Sequence, residues 1–209
     1  MSAPDLLPQA EAIVDYLAVP LGTRPVVQGP ERMTQYKLRQ LARLSGGMLA
    51  VPLYNLEGED EKEMGWMAVG IRMAVAIGGL MVSDPEVREK VGFNQADDLL
   101  MDAAQEILNT VTEGFNQELE TLASHQGIRI GTLVKVAPAD VEEGILQAGT
   151  GGVAGVYTID FPKHDFPSLT RRRGSLAIAF LRNWDQPEGR PRIGTPPEGD
   201  GHPGGGGRR

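Results

Sequence analysis

Six polar residues recur along one stretch of the chain at helical spacing: Asp102, Glu106, Asn109, Glu113, Asn116 and Glu120. At 3.6 residues per turn they share an arc of about 80°. Carboxylates and carboxamides at consecutive turns can pair with a partner's cation or hold a water, and no strong base is among them. Glu106 and Asn109 sit about 4.5 Å apart along the axis, close enough to enter one site together. A solvated helix face is polar without any function, and the spacing E-x-x-N occurs twice here, the second time at Glu113 and Asn116. Asparagine, however, is an indifferent helix former whose side chain competes with the backbone. Its presence at two successive turns implies a demand other than helix propensity.

The element that must carry this stripe is predicted at Asp97 to Ala123, with Leu100, Ala104, Ile107, Leu108, Val111, Phe115, Leu119 and Leu122 gathered on the opposite side. Ser83 and Glu86 stand at capping-box spacing ahead of it, with Pro85 in the first turn. Residues Asp5 to Ala18 form a second helix candidate, stopped by Pro20 and Gly22. Val26 to Leu44 is ambiguous between strand and helix. Met48 to Leu56 reads as a strand, the acidic run Glu57 to Glu63 as a hairpin loop, Met64 to Ile71 as the returning strand, and Arg72 to Val82 as a buried helix. Strands are predicted again at Ile128 to Val136, Val153 to Phe161 and Ser175 to Leu181. The pattern is that of two successive helix-plus-strands halves sharing a mainly antiparallel sheet, an α+β fold rather than a doubly wound parallel one.

A chain of 209 residues with 41% hydrophobic and 23% charged side chains can build one substantial core. One domain is expected over residues 1–182. Residues 183–209, dense in proline and glycine, carry too little apolar side chain to offset their ordering entropy and read as a disordered tail. Cysteine is absent, which removes disulfides, thiolate metal sites and thiol nucleophiles. His125, His164 and His202 form no pair at ligand spacing, so no metal is expected.

The net charge of −8 opposes general nucleic-acid binding. The basic run Arg171-Arg172-Arg173 precedes Gly174 and an apolar run, and reads as a solvated turn before a strand. Gly149 to Gly155 leads into a strand, the reverse of the order a dinucleotide loop needs. No apolar stretch approaches the ~20 residues of a membrane span, and no basic start joins an apolar signal core; a cytoplasmic location is expected.

The segment DAAQEILNTVTEGFNQELETLASHQGIRIGTLVKVAP, Asp102 to Pro138, resembles the signature of the CheC/CheX/FliY chemotaxis phosphatases. In that signature an acidic or Ser residue is followed by Glu four positions later and Asn three further on, here Asp102, Glu106 and Asn109. The preceding MGWMAVGIRMAVAIGGLMVSDPEV is similar to the strand and helix that lead into the motif. The resemblance implies a CheC-like fold and a partner, the phosphorylated CheY-like response regulator. Glu106 would pair with a partner lysine and Asn109 would orient the attacking water. Asp102, Glu113 and Asn116 would form a supporting polar stripe for binding. No cofactor is implied for this chain, since Mg²⁺ belongs to the response regulator. A homodimer through a sheet edge, as in CheX, is a further implication. Two departures stand out: Glu113 occupies the place of the family's usual glycine, with Gly114 one later, and its charge opposes an anionic partner. In the first half Glu11-Ala-Ile-Val14 stands where a two-site protein repeats the pair, so a single, CheX-like site is expected. The alternative is a non-catalytic interaction module of the same fold, similar to flagellar-switch components.

Overall fold

A computed structural model describes residues 7–55, 63–74, 98–121, 128–148, 153–161 and 173–180. The elements in chain order are α1 (Ala10–Leu21), β1 (Val26–Arg32), α2 (Gln35–Ser45), β2 (Met48–Asn55), β3 (Glu63–Gly70), α3 (Asp98–Thr121), β4 (Ile128–Ile130), β5 (Val134–Val136), α4 (Pro138–Glu143), β6 (Val153–Asp160) and β7 (Arg173–Phe180). Residues 71–74 are also helical, which agrees with the start of the helix expected over 72–82; the rest of that helix, the signal at Ser83, the three histidines and the tail lie outside the described residues.

The strands form one sheet in the order β1-β6-β7-β3-β2-β4, with β5 also on β2, and each pair is antiparallel. The two hairpins, β2-β3 and β6-β7, meet at the centre through β3 and β7. Each half then sends its first strand to the other half's hairpin: β1 pairs with β6, and β4 and β5 pair with β2.

Strand alternation divides the core in two. Leu49, Val51 and Leu53 face the cluster that contains Ile13 and Leu17 of α1 and Ile107, Leu108, Val111 and Phe115 of α3. Met48 and Ala50, alternating with them, face the cluster that holds Leu38 and Ala42 of α2 and Val141 of α4. Helices therefore cover both faces, which explains why Met64 to Val69 is a near-continuous apolar run and not an alternating one. On the α2 side, Gln35 stitches the layer together: its Nε2 donates to the carbonyls of Val141 and Leu146, and its Oε1 accepts from the Ala148 N–H. The Trp66 indole, buried in the same layer, donates to the Gln147 carbonyl.

The ambiguous stretch after Val26 resolves into β1 followed by α2. Thr34 marks the boundary by accepting from the Lys37 N–H, and Gly46, at φ 73°, ends the helix. The strand expected at 128–136 is interrupted into β4 and β5: between Ile130, opposite Leu53, and Val134, opposite Ala50, it carries one residue more than β2, and Gly131 sits against Pro52 and Tyr54 where a Cβ would collide. Arg173 is not in a turn. It is the first residue of β7 and grips its cross-strand neighbour Asp160 with two charge-assisted hydrogen bonds of 2.7 and 2.9 Å, which hold its guanidinium above its ordinary pKa. Arg171 and Arg172 lie outside the described residues. No helix among the described residues is long and apolar enough to cross a membrane.

Candidate functional site

The stripe lies on α3, a helix of 24 residues whose inner side enters the core through Ala104, Ile107, Leu108, Val111 and Phe115. Phe115 meets Phe180 of β7 with ring centroids 5.8 Å apart, which anchors the C-terminal part of the helix to the sheet. Against its flank runs α1. Their crossing depends on Gly114: a Cβ there would run into the Tyr16 ring. The glycine one position later than the family pattern thus lets the two helices approach closely.

With the inner side fixed, the outer side is determined. Asp102, Glu106 and Glu113 are exposed, and Asn109 is half-buried. Asp98, at the first turn of α3, is exposed on this helix as well. Among the described residues no lysine or arginine pairs with Asp102, Glu106 or Glu113. The ridge therefore presents carboxylates that have no ion-pair partner among the described residues, suited to meet a partner's cation.

The two asparagines of the stripe have different surroundings. Asn116 is half-buried, and its Nδ2 donates to the Ile128 carbonyl while its Oδ1 accepts from the Ile128 N–H, both at 2.7 Å. It clamps the start of β4 to α3, and both of its polar atoms serve the protein's own backbone. The expectation of Asn116 as a binding residue is therefore revised: its demand is structural. Asn109 has no such duty. Among the described residues its carboxamide meets only Gln105, whose Nε2 lies 3.4 Å from the Asn109 Oδ1. Gln105 did not stand out in the sequence, although its spacing of four from Asn109 on a helix was a usable signal.

Structure brings together Glu106 and Asn109, one turn apart on an open ridge, with Asp102 a turn before and Glu113 a turn after. Such a ridge can donate and accept hydrogen bonds around a water through Asn109 and offer Glu106 to a cation. It holds no group of three metal-ligating side chains among the described residues.

Neither a family model nor a curated protein matches the chain. Solved structures do. FliY from Thermotoga maritima superimposes with a TM-score of 0.55 at 14% identity, covering 81% of this chain and 82% of that one. The FliM middle domain from H. pylori gives a TM-score of 0.54 at 11% identity over 82% and 84% of the two chains. A chain of the FliG–FliM complex from H. pylori gives 0.52 at 14% identity over 82% and 85%. At these identities the likeness is one of architecture: the chain has the α+β fold of FliY and the FliM middle domain, which agrees with the fold expected from the resemblance carried by Asp102 to Pro138.

Proposed function

We propose that this protein accelerates hydrolysis of the phospho-aspartate of a CheY-like response regulator, with the ridge of α3 docked beside the acyl phosphate. The observation that supports this reading is the contrast between the two asparagines. Asn116 is accounted for by its two bonds to Ile128, whereas the Asn109 carboxamide, one turn from Glu106 within the unbroken helix, meets only Gln105 among the described residues. In this reading Glu106 pairs with a lysine of the regulator and fixes the approach, and Asn109 holds the attacking water in line. The water oxygen bonds to phosphorus as the bond from phosphorus to the aspartyl oxygen breaks. The electron pair leaves with the regulator's carboxylate, and the water's proton ends on the released inorganic phosphate. Such phosphoryl transfer passes through a loose transition state and depends on positioning and electrostatics, so a carboxamide suffices. Mg²⁺ belongs to the response regulator in this reading, and no residue of this chain is assigned to it. A role in chemotaxis or two-component signalling, in the cytoplasm, follows from the same partner.

Decay of a phosphorylated CheY-like regulator, measured with and without the protein, tests the proposal. Acceleration by the wild type, and none by an Asn109→Ala variant with an unchanged circular dichroism spectrum, is the expected result. Absence of acceleration with every regulator encoded alongside the protein overturns it.

One observation favours a second reading, a non-catalytic module of the flagellar-switch kind. Glu113 is exposed a single turn beyond Asn109 and presents like charge to a phosphorylated partner. In that case a regulator or switch protein binds equally well to wild type and Asn109→Ala, and turnover is never seen.

A further inference from the structure

We propose that Gln105 is a positioning residue that sets which end of the Asn109 carboxamide faces the water; the inference rests on the phosphatase reading above. A carboxamide has two unlike ends, an oxygen that only accepts and a nitrogen that only donates. Gln105 lies four residues before Asn109, half-buried, and points its Nε2 at the Asn109 Oδ1. One of the two lone pairs of that oxygen is thereby engaged, and the amide nitrogen is turned away from Gln105.

The orientation matters to the chemistry. An attacking water must keep a lone pair aimed at phosphorus, so its holder has to accept a hydrogen from it. The remaining lone pair of Oδ1 can do so, while Nδ2 is left to donate to a phosphoryl oxygen. With the amide reversed, Nδ2 would instead donate to the water oxygen and occupy the electrons needed for attack. Docking of the regulator would be equal in the two orientations, because Glu106 and the outline of the ridge do not change. A Gln–Asn pair at this spacing also lends slight support to a helix. That role alone would leave turnover untouched.

In α1 the corresponding places are Ala10 and Val14. Donor and carboxamide are absent together in the half where the resemblance expects no site.

Two substitutions separate positioning from helix support. Lysine and glutamate are both good helix formers, yet Gln105→Lys keeps only a donor and Gln105→Glu only an acceptor. With phosphorylated CheY-like regulator at saturation, Gln105→Glu is expected to lower kcat about fivefold to tenfold, the worth of one hydrogen bond, with no matching loss of stability. Gln105→Lys should hold kcat within about twofold. KM, which reads docking, is expected to move little by comparison in both. Equal kcat for the two variants in a protein whose wild type is active overturns the inference alone. No acceleration by the wild type overturns the parent reading, and this inference with it.

A second measurement needs no turnover. In the ¹⁵N spectrum of the full chain, the Gln105 side-chain amide signals should shift on Asn109→Ala. In Gln105→Glu the Asn109 amide signals should follow a carboxylate titration. Asn109 signals that are indifferent to both Gln105 variants overturn the proposal whatever the kinetics.

Discussion

The two halves of the molecule answer the same layout with different surfaces. Each runs helix, interrupted outer strand, short helix and hairpin: α1, β1, α2, β2-β3 in the first and α3, β4 with β5, α4, β6-β7 in the second. The outer strands break in corresponding places, β1 where its register shifts around Gly29 and Pro30, the other at residues 131–133. Burial also agrees at the compared positions, for Glu11 and Glu106 are exposed and Val14 and Asn109 half-buried. What differs is chemistry. α1 has 12 residues, with Pro20 in its last turn, and offers a valine where α3, at 24 residues, offers a carboxamide. The fold supplies two similar ledges; residue choice on one of them makes it the candidate site.

Mutations test how far the two halves are alike. The largest effect is expected at the ledge itself: Asn109→Ala should remove the acceleration of regulator dephosphorylation, a loss of about a hundredfold or more if the carboxamide acts as a positioned dipole, read as the decay rate of the phosphorylated regulator. Val14→Asn placed in that background asks whether α1 lacks more than one side chain. Partial recovery of the rate is the expected outcome, and a flat response would show the halves to be less alike than their burial suggests.

Next come stability effects where α3 meets α1 and β4. Gly114→Leu forces a side chain into the Tyr16 ring and should lower stability by about 3 kcal/mol in urea unfolding, with both helices displaced. Asn116→Ala leaves the Ile128 N–H and carbonyl without their partner and should cost about 2 kcal/mol, again by denaturant titration. Retained turnover in Asn116→Ala below its melting temperature would confirm that the two asparagines do different work. The smallest effect is expected from Arg43→Ala. It breaks an exposed ion pair with Glu142, 2.7 Å long, between α2 and α4, and should cost less than about 1 kcal/mol.

Much of this arrangement was readable in the chain because its signals are local. Period-3.6 apolar residues from Leu100 onward outlined α3 across its described residues, and runs of strand-forming residues located β2, β3, β6 and β7. The exposed ridge at Asp102, Glu106 and Glu113 followed from the same period. What escaped depended on distant segments. Nothing near Gly131 announces that the chain there carries one residue more than the facing β2, so a single strand is predicted where two occur. α4 is only six residues long, too short for periodicity to register. Arg173 looked like part of a basic turn because its partner, Asp160, is distant in sequence and adjacent only across the sheet. Asn116 looked like a member of the functional stripe for the same reason: spacing reports which way a side chain points, but not that Ile128 is waiting there.

The reciprocal loan of outer strands has a consequence for how the chain matures. β1 is made early but can zip up only after β6 exists, since Val26 lies opposite Asp160. Contacts this remote in sequence delay folding and leave an unsatisfied strand border in the nascent polypeptide. Severing the connection between β3 and α3 would give two fragments, the first short of β4 and β5 and the second of β1, neither of which closes by itself. Mixed together, they can complete one another only by interlocking, so a single cooperative unfolding transition is expected despite the twofold design.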